Sequence, residues 1–139
     1  MNSLKNGARL LNVNSAIIDS SAFLAGYFKE TGGDFVQNTK ITRIMSSVNI
    51  AEVMCVLTRR NINPTIAEQG ISFFTDKIIP FTAAQAVRTG IIQTQTKHLG
   101  LSLGDCACLA LAEELQLPIL TADKAWLTAR LGVEVVLIR

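Results

Sequence analysis

The sequence predicts an α/β fold with a parallel sheet covered on both faces. Three observations predict it. Short, continuous apolar runs rich in Ile, Val and Leu alternate along the chain with longer helical patterns. The runs are not alternately polar, as half-exposed strands would be, so both their faces are buried. The chain has 139 residues, enough for one such domain and too few for two.

Each element follows from local chemistry. Residues 16–19 form a buried strand that runs into a Ser-Ser turn and a helix over 22–28. Gly32 and Gly33 break the chain before a short helix at 34–39, and residues 44–47 read as the second strand. Asn49 and Glu52 have capping-box spacing and open a helix to about residue 60, stopped by the turn at 61–64. Thr65 and Glu68 repeat that spacing and start a helix to about residue 77. A third strand at 78–81 ends beside Pro80. Thr82 opens a long helix to His98, closed by Gly100, and Ser102 starts another to about Leu115. The fourth strand spans 118–121, a last helix 124–131 and a final strand 134–138. Residues 1–13 read as a polar, weakly basic extension, and residues 14–139 as the folded domain.

Composition narrows the function classes. Hydrophobic residues make up 49% and the formal net charge is only +2, which excludes a disordered chain. The longest uncharged apolar run, residues 106–112, is too short to cross a bilayer. That helix is apolar nearly all round, so it lies inside the fold or meets a second subunit. The N-terminus lacks the apolar stretch of a signal peptide, which points to a cytoplasmic protein. Cys55, Cys106 and Cys108 read as buried, reduced thiols. His98 is the lone histidine and reads as a helix cap, so a Cys/His zinc site has little to draw on. No Gly-x-Gly-x-x-Gly, P-loop or Gly-x-Ser-x-Gly occurs, which removes support for nucleotide-cofactor and serine-hydrolase readings.

Four acids stand out: Asp19, Glu52, Asp105 and Asp123. Asp19 and Asp123 closely follow apolar strands, at the sheet edge where open α/β folds bind ligands. Glu52 opens a helix that follows a strand and so starts at the same edge. Local order alone leaves Asp105 at either edge. Neither Glu52 nor Asp105 has a Lys or Arg three or four residues away. Each acid has a bland alternative as a helix cap, although Asp19, ending a buried strand, has no obvious structural job. Gathered together they would need a compensating cation. An all-oxygen donor set selects Mg²⁺ or Mn²⁺, which suits phosphoryl chemistry. Ser20, Ser21 and Thr121 flank the acids and are candidates to orient a carboxylate or water. The basic pairs Arg59-Arg60 and Lys40/Arg43 are candidate phosphate contacts or ordinary surface.

Four stretches together resemble the PIN-domain ribonucleases, in particular the VapC-like toxins of bacterial toxin–antitoxin pairs. They are Ala16-Ile-Ile-Asp-Ser-Ser-Ala-Phe-Leu-Ala25, Ser46-Ser-Val-Asn-Ile-Ala-Glu-Val53, Gly100-Leu-Ser-Leu-Gly-Asp-Cys-Ala-Cys-Leu-Ala-Leu-Ala112 and Leu117-Pro-Ile-Leu-Thr-Ala-Asp-Lys-Ala-Trp126. The resemblance implies a three-layer sandwich around a five-stranded parallel sheet. It carries the family's metal-binding acids onto Asp19, Glu52, Asp105 and Asp123, and so places Asp105 at the carboxyl edge. It further implies Mg²⁺- or Mn²⁺-dependent cleavage of RNA, a homodimer and a cognate antitoxin. The extension at 1–13 departs from it, since many such toxins begin almost at the first strand. Two other readings stand beside it. One is a non-catalytic binding module with a structural acid cluster. The other is a receiver-like domain, for which the adjacent acids near the first strand and the Lys after the last strand are missing. If the four acids are drawn into one cleft, seven of the eleven remain against thirteen bases, a basic surface suited to a polyanion.

Overall fold

The computed structural model describes residues 13–129 and 131–139, so the expected extension, apart from Val13, lies outside the described residues. Five strands form a single sheet: β1 (Ser15–Ile18), β2 (Thr42–Ser46), β3 (Lys77–Ile79), β4 (Ile119–Thr121) and β5 (Val135–Leu137). Their order is β3-β2-β1-β4-β5 and every pairing is parallel. Ile17 of β1 pairs with Ile44 on one side and Ile119 on the other, which puts β1 at the centre. The chain builds outward from β1 to β3, then crosses back to β4. Strand order therefore reverses at β1/β4, and a crevice opens there at the carboxyl ends.

Side chains alternate across the sheet and found two cores. Ala16, Ile18, Met45, Leu120 and Val136 pack with Phe23, Val53 and Leu57 on one face. That face is covered by α1 (Ser20–Tyr27), α2 (Gly33–Asn38), α3 (Ser47–Arg59) and α4 (Pro64–Phe74). Ile17, Ile44 and Ile119 pack with Ile92, Leu109, Leu111 and Trp126 on the other. That face is covered by α5 (Ala83–Gln95), α6 (Leu103–Leu115) and a 3-10 segment, Lys124–Thr128. The expected three-layer sandwich is what forms. The apolar helix at 106–112 is inside it: residues 106–112 of α6 are all buried, between α5 and the sheet. Of the two explanations for that helix, the interior one holds.

Several local expectations are corrected. Ser20 and Ser21 are the first residues of α1, not a turn before it, and Asp19 is its N-cap. Helix α3 starts at Ser47 because Ser46, the last residue of β2, caps it directly and leaves no loop. Asn49 and Glu52 are thus inside α3, and the capping-box explanation for Glu52 falls. Helix α4 begins at Pro64 with Asn63 as cap, because proline's missing N–H costs nothing in a first turn. Thr82 does cap α5, but α5 ends at Gln95. His98 lies beyond it, exposed in a 3-10 turn (Lys97–Leu99) closed by Gly100 at φ 68°. All three cysteines are free as expected, yet Cys55 is exposed on α3. Arg43 is engaged by Asp76 at 3.2 Å, and Arg60 stacks on the Phe28 ring at 4.3 Å, so neither basic pair is wholly free surface.

Candidate active site

Asp19 is the buried centre of the crevice, with 4% of its surface exposed. It follows β1 directly, and its carboxylate turns back over the start of α1. Oδ1 accepts the Ala22 amide at 2.8 Å, so the acid does have a structural job, as the helix cap. Two hydroxyls add to this. Ser21 Oγ lies 2.8 and 3.0 Å from the two carboxylate oxygens, and Thr121 Oγ1 donates to Oδ2 at 2.7 Å. A hydroxyl has one proton, so its other contacts show where that proton goes. Ser21 Oγ accepts the Ala122 amide and Thr121 Oγ1 accepts the Asp123 amide, both at 3.0 Å. Both protons are then free to point at Asp19.

Glu52 and Asp105 enter from two helices. Glu52, on the second turn of α3, is half-buried, and its Oε1 accepts from Ser20 Oγ at 2.8 Å and Asn49 Nδ2 at 2.7 Å. Asp105 is the third residue of α6 and completes a capping box: Ser102 N donates to Oδ2 at 2.9 Å, and Asp105 N to Ser102 Oγ at 3.1 Å. The start of α6 lies against α3, since Asn49 also donates to the Gly104 carbonyl. Asp105 therefore sits at the carboxyl edge, which local order had left open. Asp123 is exposed and caps the Lys124–Thr128 segment through the Ala125 amide at 2.9 Å.

The four acids share one electrostatic neighbourhood. Burial raises the Asp19 carboxyl from its ordinary 3.8 to about 6 despite its hydrogen bonds, and the Asp105 charge adds to the rise. Burial also raises Asp105, the Ser102 bonds oppose this, and the charges of Glu52 and Asp123 add to it. Cys108, buried beneath the group, has its thiol pushed well up by desolvation and then by Asp19, Asp105 and Glu52. None of the ion pairs among the described residues involves any of the four acids.

Capping and site roles coexist here, because each carboxylate is oriented by the backbone or hydroxyl donors it satisfies. Among the described residues, no three His, Cys, Asp or Glu side chains converge closely enough to hold one metal ion between them. As they stand, the acids would meet a cation with no more than two carboxylates at once. Mg²⁺ keeps several waters and takes one or two carboxylates directly, the rest acting through water. The donor set is all oxygen, as a hard cation requires. Asn49 is the residue that sequence reasoning misassigned, as a cap. The available signal was its spacing of three from Glu52, which puts both on one helix face.

A parallel α/β domain with acids clustered at its switch-point edge is the kind of protein now in view. The PIN domain family model matches residues 16–130, and the chain belongs to that family. No curated protein sequence matches it. Among solved structures it is similar to a toxin–antitoxin complex from Klebsiella pneumoniae, at a TM-score of 0.70 and 20% identity, covering 86% of this chain and 95% of that one. It is also similar to DNA-bound VapBC from Salmonella typhimurium (TM-score 0.66, 17% identity, 90% and 98% covered). A third is Mycobacterium tuberculosis VapC20, a Sarcin-Ricin loop cleaving toxin (TM-score 0.68, 16% identity, 86% and 99% covered). These likenesses show the fold. Among the described residues no helix is long and apolar enough to cross a membrane.

Proposed function

We propose that this chain is a divalent-metal-dependent endoribonuclease and the toxin of a toxin–antitoxin pair, acting in the cytoplasm and held in check by a cognate antitoxin. The observation that carries the catalytic reading is the buried Asp19 carboxylate. It takes three donors yet has no cationic partner among the described residues, and three more acids face the same crevice. The partner reading draws on the toxin–antitoxin complexes that the fold resembles.

Asp19, Glu52, Asp105 and Asp123 would hold Mg²⁺ or Mn²⁺, directly or through water. When bound, such a cation neutralises the scissile phosphate and lowers the pKa of water. The chain supplies the rest. Thr121 and Ser21 hold Asp19 in one orientation and favour its ionised form. Ser20 and Asn49 hold Glu52, and the capping box holds Asp105. Fixing carboxylates before substrate arrives removes reorganisation from the reaction itself. The thirteen bases favour RNA as the polyanion that enters. Val87 and Ile91, one turn apart and exposed on α5, support a homodimer.

RNA cleavage with Mg²⁺, then with EDTA, tests the reading. Asp19→Ala and Asp105→Asn should each abolish cleavage while the protein still folds. A folded protein that binds the metal but cuts no RNA would instead be a binding module.

A further inference from the structure

Asn49 is almost wholly buried, at 1% exposure. Its amide nitrogen donates to Glu52 Oε1 at 2.7 Å and to the Gly104 carbonyl at 3.1 Å. Both partners can only accept, so the orientation of the amide is settled by chemistry. Ser20 Oγ donates to the same Oε1. Two protons thus occupy Oε1, and no hydrogen bond among the described residues reaches Oε2. Gly104 explains where that oxygen lies. A Cβ built there would overlap the Glu52 carboxylate, with Oε2 the nearest atom. The carboxylate fills the space that any side chain at 104 would take, against the turn that carries Asp105. A glycine in a helix forgoes the propensity of alanine, and the overlap is with the Glu52 side chain and not with backbone.

We infer that Asn49 and Gly104 are positioning residues for Glu52. Asn49 fixes Oε1 and ties it to the backbone of α6, and Gly104 leaves the space that the Glu52 carboxylate, Oε2 foremost, occupies beside Asp105. The inference rests on the metal-dependent reading and adds two residues to it. Neither residue touches substrate; both act through Glu52. The effect is to lock one oxygen and leave the other for the cation, so that Glu52 needs no rotamer search when the site fills.

The test is Mn²⁺ binding, followed by electron paramagnetic resonance of the free ion, for the parent, Asn49→Ala and Gly104→Ala. Each substitution should weaken Mn²⁺ about tenfold or more, as loss of a ligand-orienting partner does. Melting temperature without metal separates this from a merely structural role. Gly104→Ala should lower it in the parent, where the carboxylate must move, and raise it in a Glu52→Ala background, where alanine's helix propensity is gained without a clash. Parental Mn²⁺ affinity in Gly104→Ala would overturn the inference, as would an equal loss of melting temperature in both backgrounds. Gly104→Ala carries the test alone if Asn49→Ala does not fold, because the far end of Glu52 can swing aside. RNA cleavage by the parent is measured alongside. A parent that cleaves, with variants of parental affinity, sinks the inference and spares the nuclease. A parent that binds Mn²⁺ without cleaving, with weakened variants, does the reverse, and a parent that binds none overturns both.

Discussion

Thr121 at the end of β4 donates its hydroxyl proton to Asp19 Oδ2 at 2.7 Å, across 102 residues of chain. Thr121 Oγ1 in turn accepts the amide of Asp123 at 3.0 Å. One buried hydroxyl therefore joins the carboxyl ends of the two strands between which the crevice opens, and it links two of the four acids.

Thr121→Val keeps the shape and removes the hydroxyl. Asp19 loses a donor and the Asp123 amide loses its acceptor. A bond to a charged group contributes about 1.5–3 kcal/mol, so denaturant unfolding should show a loss of that order. RNA cleavage should fall as well, with the larger effect on kcat, since Asp19 would be less firmly aimed. Parental stability together with parental kcat would show the bond to be idle.

The metal-free protein should become less stable as pH rises from about 4 to about 6. Asp19 binds its proton more tightly in the fold, with a pKa near 6, than in the unfolded chain, near 3.8. Over that window the native state holds more protons than the unfolded state, so the slope of unfolding free energy with pH is negative. The stability is full below about 4 and lost through about 6, amounting to about 3 kcal/mol. Urea titrations in EDTA at pH 4.5 and 7 should show about 2 kcal/mol of that loss, the rest having gone below pH 4.5, and Asp19→Asn should flatten it. At pH 7, Mn²⁺ at 100 times its Kd should restore about 2.7 kcal/mol.

Two glycines should respond in opposite directions. A Cβ at Gly33 would overlap the Ala25 carbonyl where α2 crosses α1, and that contact is backbone on backbone. Gly33→Ala should destabilise strongly or prevent folding. Gly90, exposed within α5, has nothing near a Cβ, so Gly90→Ala should stabilise by about 1 kcal/mol. Melting curves of the two variants check both.

The layers of this fold were legible because each strand is a short apolar run between helices, and Ile17, Ile44 and Ile119 sit where such runs predict. The acids were legible by place, Asp19 and Asp123 after strands and Glu52 and Asp105 at helix starts with no Lys or Arg three or four residues away. Helix boundaries were less so. Ser46 serves at once as the last residue of β2 and the cap of α3, and no local pattern separates that from a loop ended by Asn49. Cys55 was misplaced because a thiol's burial depends on which helix face meets α4, a tertiary fact. Asp105 reached the right edge only through the resemblance, since a long helix before it can deliver either end. The Asn49–Gly104 contact joins residues 55 apart, and spacing along one helix cannot reveal it.

The most direct measurement is cleavage of a purified RNA by the parent and by Asp105→Asn, with Mg²⁺ and then with excess EDTA. Cleavage by the parent is expected with Mg²⁺ alone, and none by the variant, whose fold and melting temperature stay close to the parent's. Equal cleavage by parent and variant, or cleavage undiminished in EDTA, would contradict it.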